Sequence, residues 1–151
     1  PMCGVQVQNS ASSVIQHNTI ETNGKVNLCV LGSGSPTVEG NVLSNGKRLG
    51  MLMRDDARGT YTRNIIVRHG LDGVFVEGRA DVELSANVIS DSARSGVVVQ
   101  RKARAAMKEN TVCHQGSGAA VVQGHGHAQE EERAHWFVVR SQGAVRVDED
   151  A

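Results

Sequence analysis

Gly73-Val74-Phe75-Val76-Glu77-Gly78-Arg79-Ala80-Asp81-Val82-Glu83-Leu84-Ser85-Ala86-Asn87-Val88-Ile89 reads GVFVEGRADVELSANVI. Val74 and Val76 alternate with Phe75 and Glu77, which is the period of a strand. Leu84 and Ile89 sit in two further short apolar runs. Gly, Ala and Asn stand between the runs, where bends fall. If Val74 and Val76 face a core, Phe75 faces away from it.

The same order recurs along the chain. Asn18, Asn41, Asn64, Asn87 and Asn110 are each 23 residues apart, and Ile20, Leu43, Ile66, Ile89 and Val112 follow them. Gly4, Gly50, Gly73 and Gly96 keep that period, with Asn27 and Ala119 in the remaining slots. Small residues (Ala11, Gly34, Ala57, Ala80, Ala103, Gly126) form a third column, and Ile15, Val38, Tyr61, Leu84 and Met107 a fourth. Helical repeats of about 34 residues or more are too long for this unit. Two or three strands of a few residues each fit one coil of a parallel β-helix. Coils stacked about 4.8 Å apart pair through their backbones, and parallel crossovers are right-handed.

The expected fold is therefore an all-β, single-stranded, right-handed parallel β-helix, a solenoid of about six coils of 23 residues. It forms one domain over residues 1–151. Regular coils occupy 4–123, an irregular polar loop 124–135, and the last partial coils 136–151, with Gly143 to Val147 opening a seventh coil. The chain opens on Pro rather than Met and shows no obvious caps, so an excerpt of a longer chain is expected. The Asn column is expected at tight bends, where Asn tolerates unusual backbone angles and stacks into an amide ladder. The small column marks a corner between closely meeting strands.

Sixteen basic residues balance sixteen acidic ones. That argues against nucleic-acid binding driven by a basic face. No apolar run approaches a membrane span. Three cysteines (Cys3, Cys29, Cys113) in an odd, unpatterned set read as reduced thiols, hence a cytoplasmic or nuclear protein.

The pattern GVxVxxxAxxxΦxxNxΦ, with Φ aliphatic, resembles the right-handed β-helix repeats of the pectin-lyase-like superfamily, of the carbohydrate-binding and sugar-hydrolase type. Similar repeats occur in β-helix F-box proteins, in periplasmic copper-maturation proteins and in many lyases. The resemblance covers residues 4–123 well. It implies the fold. Through the F-box proteins it also implies a substrate-recognition module of a ubiquitin ligase, although no F-box is in this sequence. One fold hosts many functions.

Stacked columns place charges beside one another. Arg54 neighbours Glu77, Asp56 neighbours Arg79, and Arg58, Asp81 and Arg104 share a column, as do Arg68, Asp91 and His114. Alternating sign favours this register, and the last row reads as an ion ladder. Asp55-Asp56 is the one exposed acidic pair within the coils, on a turn, and is the candidate acid pair for an enzyme. His125, His127 and His135 read as a solvated loop rather than a metal site, and Cys113 as a structural thiol. No catalytic residue, cofactor or metal is assigned.

The middle residues of the first strands run Gln6, Cys29, Leu52, Phe75, Val98, Val121, and the last four form an outward apolar stripe. Arg54 and Glu77 border it. Such a stripe is covered by residues 124–142 with Trp136 and Phe137, binds a protein, or lines a ligand cleft. The expected function is a non-catalytic scaffold for protein recognition, contacting a protein partner or a homodimer mate through Leu52, Phe75, Val98, Val121, Arg54 and Glu77. The alternative is a carbohydrate-active β-helix enzyme, lyase or hydrolase, or a glycan-binding module.

Overall fold

The structure is a computed structural model that describes residues 3–123, 127–130 and 145–146, and the side chains of 3–117. The first coil runs β1 (Cys3–Val7), β2 (Val14–Gln16) and β3 (Thr19–Glu21), and the second β4 (Val26–Val30), β5 (Thr37–Glu39) and β6 (Val42–Ser44). The third runs β7 (Leu49–Met53), β8 (Thr60–Thr62) and β9 (Ile65–Val67), and the fourth β10 (Val74–Val76), β11 (Asp81–Ser85) and β12 (Val88–Ser90). The fifth runs β13 (Ser95–Gln100), β14 (Arg104–Lys108) and β15 (Thr111–Cys113), followed by β16 (Gly118–Gln123), β17 (His127–Glu130) and β18 (Val145–Arg146). Every third strand joins the same sheet. The three sheets order as β1-β4-β7-β10-β13-β16-β18, β17-β14-β11-β8-β5-β2 and β15-β12-β9-β6-β3.

All pairings are parallel, and all but the last, β16 with β18, keep the 23-residue register, as in Phe75 opposite Leu52 and Val98, or Ile89 opposite Ile66 and Val112. The solenoid fold expected from the repeat is thus observed. Residues 127–130, read from sequence as loop, instead continue the second sheet, with Arg104 opposite His127. Val145 pairs Ala120 across 25 residues rather than 23, so this last step is longer than the repeat.

Inside, the columns are layers of core. Val38, Tyr61, Leu84 and Met107 are buried in one row, Leu43, Ile66, Ile89 and Val112 in another. Each fully buried aliphatic side chain contributes about 1.5–3 kcal/mol. Tyr61 meets its polar need by donating its hydroxyl to the Arg58 carbonyl at 2.8 Å. Gly73 is required by space: a Cβ there would stand 2.6 Å from Ile89 Cγ2 and 2.8 Å from the Gly96 carbonyl oxygen.

Corners turn by left-handed residues. Asn9, Gly32, Asp55, Gly78 and Arg101 have positive φ at the first corner, and His17, Gly40, Arg63, Ala86 and Glu109 at the second. Thr22, Asn45, Arg68, Asp91 and His114 do so at the third. The unusual angle at the second corner therefore falls on the residue before each ladder Asn, not on the Asn as sequence reasoning placed it. The Asn side chain does the other half of the work. Asn64 Oδ1 accepts from the Asn41 backbone N–H and from Asn41 Nδ2, both at 3.0 Å. Its Nδ2 donates to the Val38 carbonyl and to Asn87 Oδ1, both at 3.0 Å. Asn41, Asn64, Asn87 and Asn110 are all buried, so the ladder satisfies main chain that water cannot reach.

Candidate functional site

Sequence spacing directs Cys29, Leu52, Phe75 and Val98 out of the core, and the structure sets them in a layer of their own. Cys29, Leu52 and Val26 form a second apolar cluster, against which Cys3, Leu31, Leu49 and Phe75 pack. Leu52 is 8% exposed and Val98 6%, while Phe75 is half-buried. The stripe is thus a packed row with Phe75 at its open rim, not a bare patch. Val26 of β4 and Leu49 of β7 pack in the same cluster as Leu52. The side chain of Val121 and residues 131–142, with Trp136 and Phe137, lie outside the described residues.

Cys3 and Cys29 form a disulfide, which corrects the reading of three reduced thiols. Their separation of 26 residues is one coil plus three positions, so the link ties the first coil to the second within this layer. Cys113 is free and buried.

Next to the apolar row lies a charged network. Arg54 Nε donates to Glu77 Oε1 at 2.6 Å, and Gln100 Nε2 to Glu77 Oε2 at 3.0 Å. Arg101 Nε stands 3.6 Å from the same Oε2. Glu77 is nearly buried, so its charge depends on these donors. Arg54, Asp55, Glu77, Gly78 and Arg101 line a groove of about 340 Å³.

The pair Asp55-Asp56 serves the scaffold. Asp55 Oδ2 accepts from the Gly32 amide at 3.0 Å, and Asp56 is gripped by Arg79 through Nε and Nη2, each at 3.0 Å. Arg58 pairs with Asp81 at 3.6 Å, and Arg63 with Glu39. The expected ladder of Arg68, Asp91 and His114 forms differently. Arg68 Nε turns one coil back to Asn45 Oδ1 at 3.0 Å. Among the described residues no group of three or more His, Cys, Asp and Glu is placed to hold a metal ion. His125 and His135, and the His127 side chain, lie outside the described residues.

Two features escaped sequence reasoning. Ile65 and Val88, 44% and 39% exposed, lie outward on the third sheet. Their column also holds Thr19, Val42 and Thr111, and only the comparison of outward columns across all three sheets could have singled it out. The second feature is His69, 2% exposed beside the Gly-slot column. Its Nε2 lies 3.0 Å from Asn27 Nδ2, two coils away in a gap left by Gly46 and Gly50. Asn27 can only donate there, so Nε2 accepts and Nδ1 carries the proton without a partner. Burial, with the Arg68 charge as a second cause, lowers its pKa to about 4.

A coiled stack of this register, with three parallel sheets and ladder corners, defines a right-handed β-helix. A family model described as the right handed beta helix region matches residues 2–131. The chain belongs to that family. No curated protein and no solved structure matches it. No helix among the described residues is long and apolar enough to cross a membrane.

Proposed function

We propose that the chain is a non-catalytic β-helix scaffold that recognises a protein partner, or a second copy of itself, through the outer face of the first sheet. One observation carries the reading: the half-buried Phe75 ring sits at the open rim of a packed apolar row, with the Arg54–Glu77–Gln100 network on its flank. An apolar anchor beside a polar rim is how interface hot spots are built. Leu52 and Val98 flank the ring on the neighbouring strands, and Phe75, Arg54 and Glu77 make the contact. Phe75→Ser is expected to abolish partner capture or dimer formation, in pull-down and light scattering, with an unchanged circular dichroism spectrum. Unchanged association would sink the reading.

Within this reading, the similar repeats of F-box proteins suggest substrate recognition for a ubiquitin ligase in the cytoplasm or nucleus. That role and the Cys3–Cys29 bond pull apart, because reducing compartments keep thiols open. Thiol trapping in intact cells decides between them: open thiols keep the ligase role, and a closed disulfide removes it.

The disulfide and the groove of about 340 Å³ favour a second reading, a secreted glycan-binding or glycan-cleaving β-helix. That reading requires glycan turnover or binding that is lost in Asp55→Asn, and activity retained in that variant would remove Asp55 from it.

A further inference from the structure

At the first corner one described backbone amide is capped by a side chain of the next coil, and those of Asn9, Asp55 and Gly78 are not. Gly32, Asp55, Gly78 and Arg101 succeed one another coil by coil, all with positive φ. The Gly32 amide donates to the carboxylate of Asp55, the residue stacked on it. The amides of Asp55 and Gly78 face Gly78 and Arg101 instead, and neither of those side chains carries an acceptor. Neither amide has an acceptor among the described residues. A Cβ built on Gly78 would stand 2.9 Å from the Asp55 nitrogen, so the missing side chain is what leaves that amide uncovered.

These two amides belong to the residues that line the groove, together with Arg54 and Arg101. Each guanidinium turns its Nε to Glu77, at 2.6 and 3.6 Å. Their outer Nη groups remain at the surface, with the side chains 50% and 71% exposed. The carboxylates in the groove are already committed, Glu77 to Arg54 and Gln100, and Asp55 to Gly32. What remains is a set of donors: two backbone amides and two guanidinium edges.

We propose that this groove binds a carboxylate of the partner protein, an Asp or Glu side chain that occupies the place the Asp55 carboxylate takes one coil earlier. The inference rests on the protein-recognition reading and names the partner's chemistry: an acidic residue beside an apolar one, the acid between Arg54 and Arg101 and the apolar side chain against Phe75. Asp55 on Gly32 is the internal template, because it shows that this corner amide takes a carboxylate oxygen when one is supplied. Charge-assisted bonds of this kind shift affinity by roughly 10- to 100-fold each.

The test titrates a fluorescein-labelled hexapeptide of alternating Leu and Asp into the protein. The same peptide with Asn for Asp, and a trigalacturonate, are the comparison arms. Anisotropy and the backbone amide spectrum are read together. The expected result is saturable binding of the acidic peptide, shifts of the Asp55 and Gly78 amide signals, and at least tenfold weaker binding of the Asn peptide. Arg101→Gln, at an exposed side chain, is expected to weaken the acidic peptide at least tenfold. Equal binding of the Asn peptide, stronger binding of trigalacturonate, or unmoved Asp55 and Gly78 amides would overturn the proposal. Partner association that is lost in Phe75→Ser but kept in Arg101→Gln overturns the carboxylate site alone. Association indifferent to Phe75→Ser, with peptide binding intact, overturns the recognition face and leaves the carboxylate site standing.

Discussion

His69 makes the stability of this solenoid depend on pH in a window set by its own burial. The unfolded chain titrates near 6.5, whereas the folded imidazole is held at about 4. Above pH 6.5 both states are neutral and His69 contributes no pH dependence. As pH falls through 6.5 the unfolded chain takes up a proton that the fold refuses, so stability drops. The loss grows until the pH passes about 4, where the folded ring also protonates. Linkage gives a loss on the order of 1 kcal/mol at pH 5.5 and about 2–3 kcal/mol at pH 4.5, relative to pH 7.5. Other groups of the chain also respond to acid, so the measurement is a difference. His69→Gln keeps an acceptor for Asn27 Nδ2 and has no proton to take. Urea unfolding of both proteins at several pH values is expected to show the wild type losing about 2–3 kcal/mol more than the variant between pH 7.5 and 4.5. With a slope of about 2 kcal/mol per molar urea, that is roughly 1 M in midpoint. Parallel stability curves for the two proteins would refute a buried neutral His69.

Three further outcomes follow from the corners and the disulfide. Asn64→Ala removes four hydrogen bonds from buried groups and is expected to cost about 3–5 kcal/mol, against about 1 for the exposed ladder end Asn18→Ala; equal costs in urea unfolding would contradict the ladder. Opening the 26-residue Cys3–Cys29 loop by Cys3→Ser should cost about 3.5 kcal/mol, and reductant should lower the wild type to the variant's level without changing the variant. Thr22 is β-branched and sits at φ 57°, so Thr22→Gly should stabilise by about 0.5–1 kcal/mol and raise Tm by roughly 2–4 °C; a lower Tm would show that Thr22 is not strained there.

The repeat was legible because a solenoid turns sequence spacing into contact. Asn41, Asn64 and Asn87 lie 23 apart in the chain and bond to one another in space. Periodicity reports which residues stack, but not how the backbone turns between them. The left-handed angle falls on His17, Arg63 and Glu109, side chains with no preference for it, because the ladder on the following Asn holds the corner. Column reasoning also compares only positions one period apart. Cys3 and Cys29 differ by 26 residues, so their bond crosses columns and was invisible to it. Strand alternation gives the outward direction of Leu52 and Val98 but not their burial, which depends on packing between columns, as of Leu52 with Val26 and Cys29.

The corners share one device, in which a side chain of the next coil caps an amide of the coil before it. Asn64 caps Asn41, Asn87 caps Asn64, and Asn110 caps Asn87 at the second corner. Gln115 does the same for Ser92 at the third, accepting from its amide at 2.9 Å and donating to the carbonyls of Ile89 and Cys113. A Gln thus makes the contacts of an Asn because the spacing between coils, not the residue type, sets the geometry. Asp55 caps Gly32 at the first corner. A solenoid needs such caps most where the amide is buried, and the second corner is buried through Asn41, Asn64, Asn87 and Asn110. At the first corner Gly32 alone among the described residues is capped, and the uncapped amides of Asp55 and Gly78 belong to residues that line an open groove beside two arginines. At position 78 the positive φ and the 2.9 Å approach of a Cβ to the Asp55 nitrogen both require glycine, so the turn itself explains that residue and the open donors are its consequence.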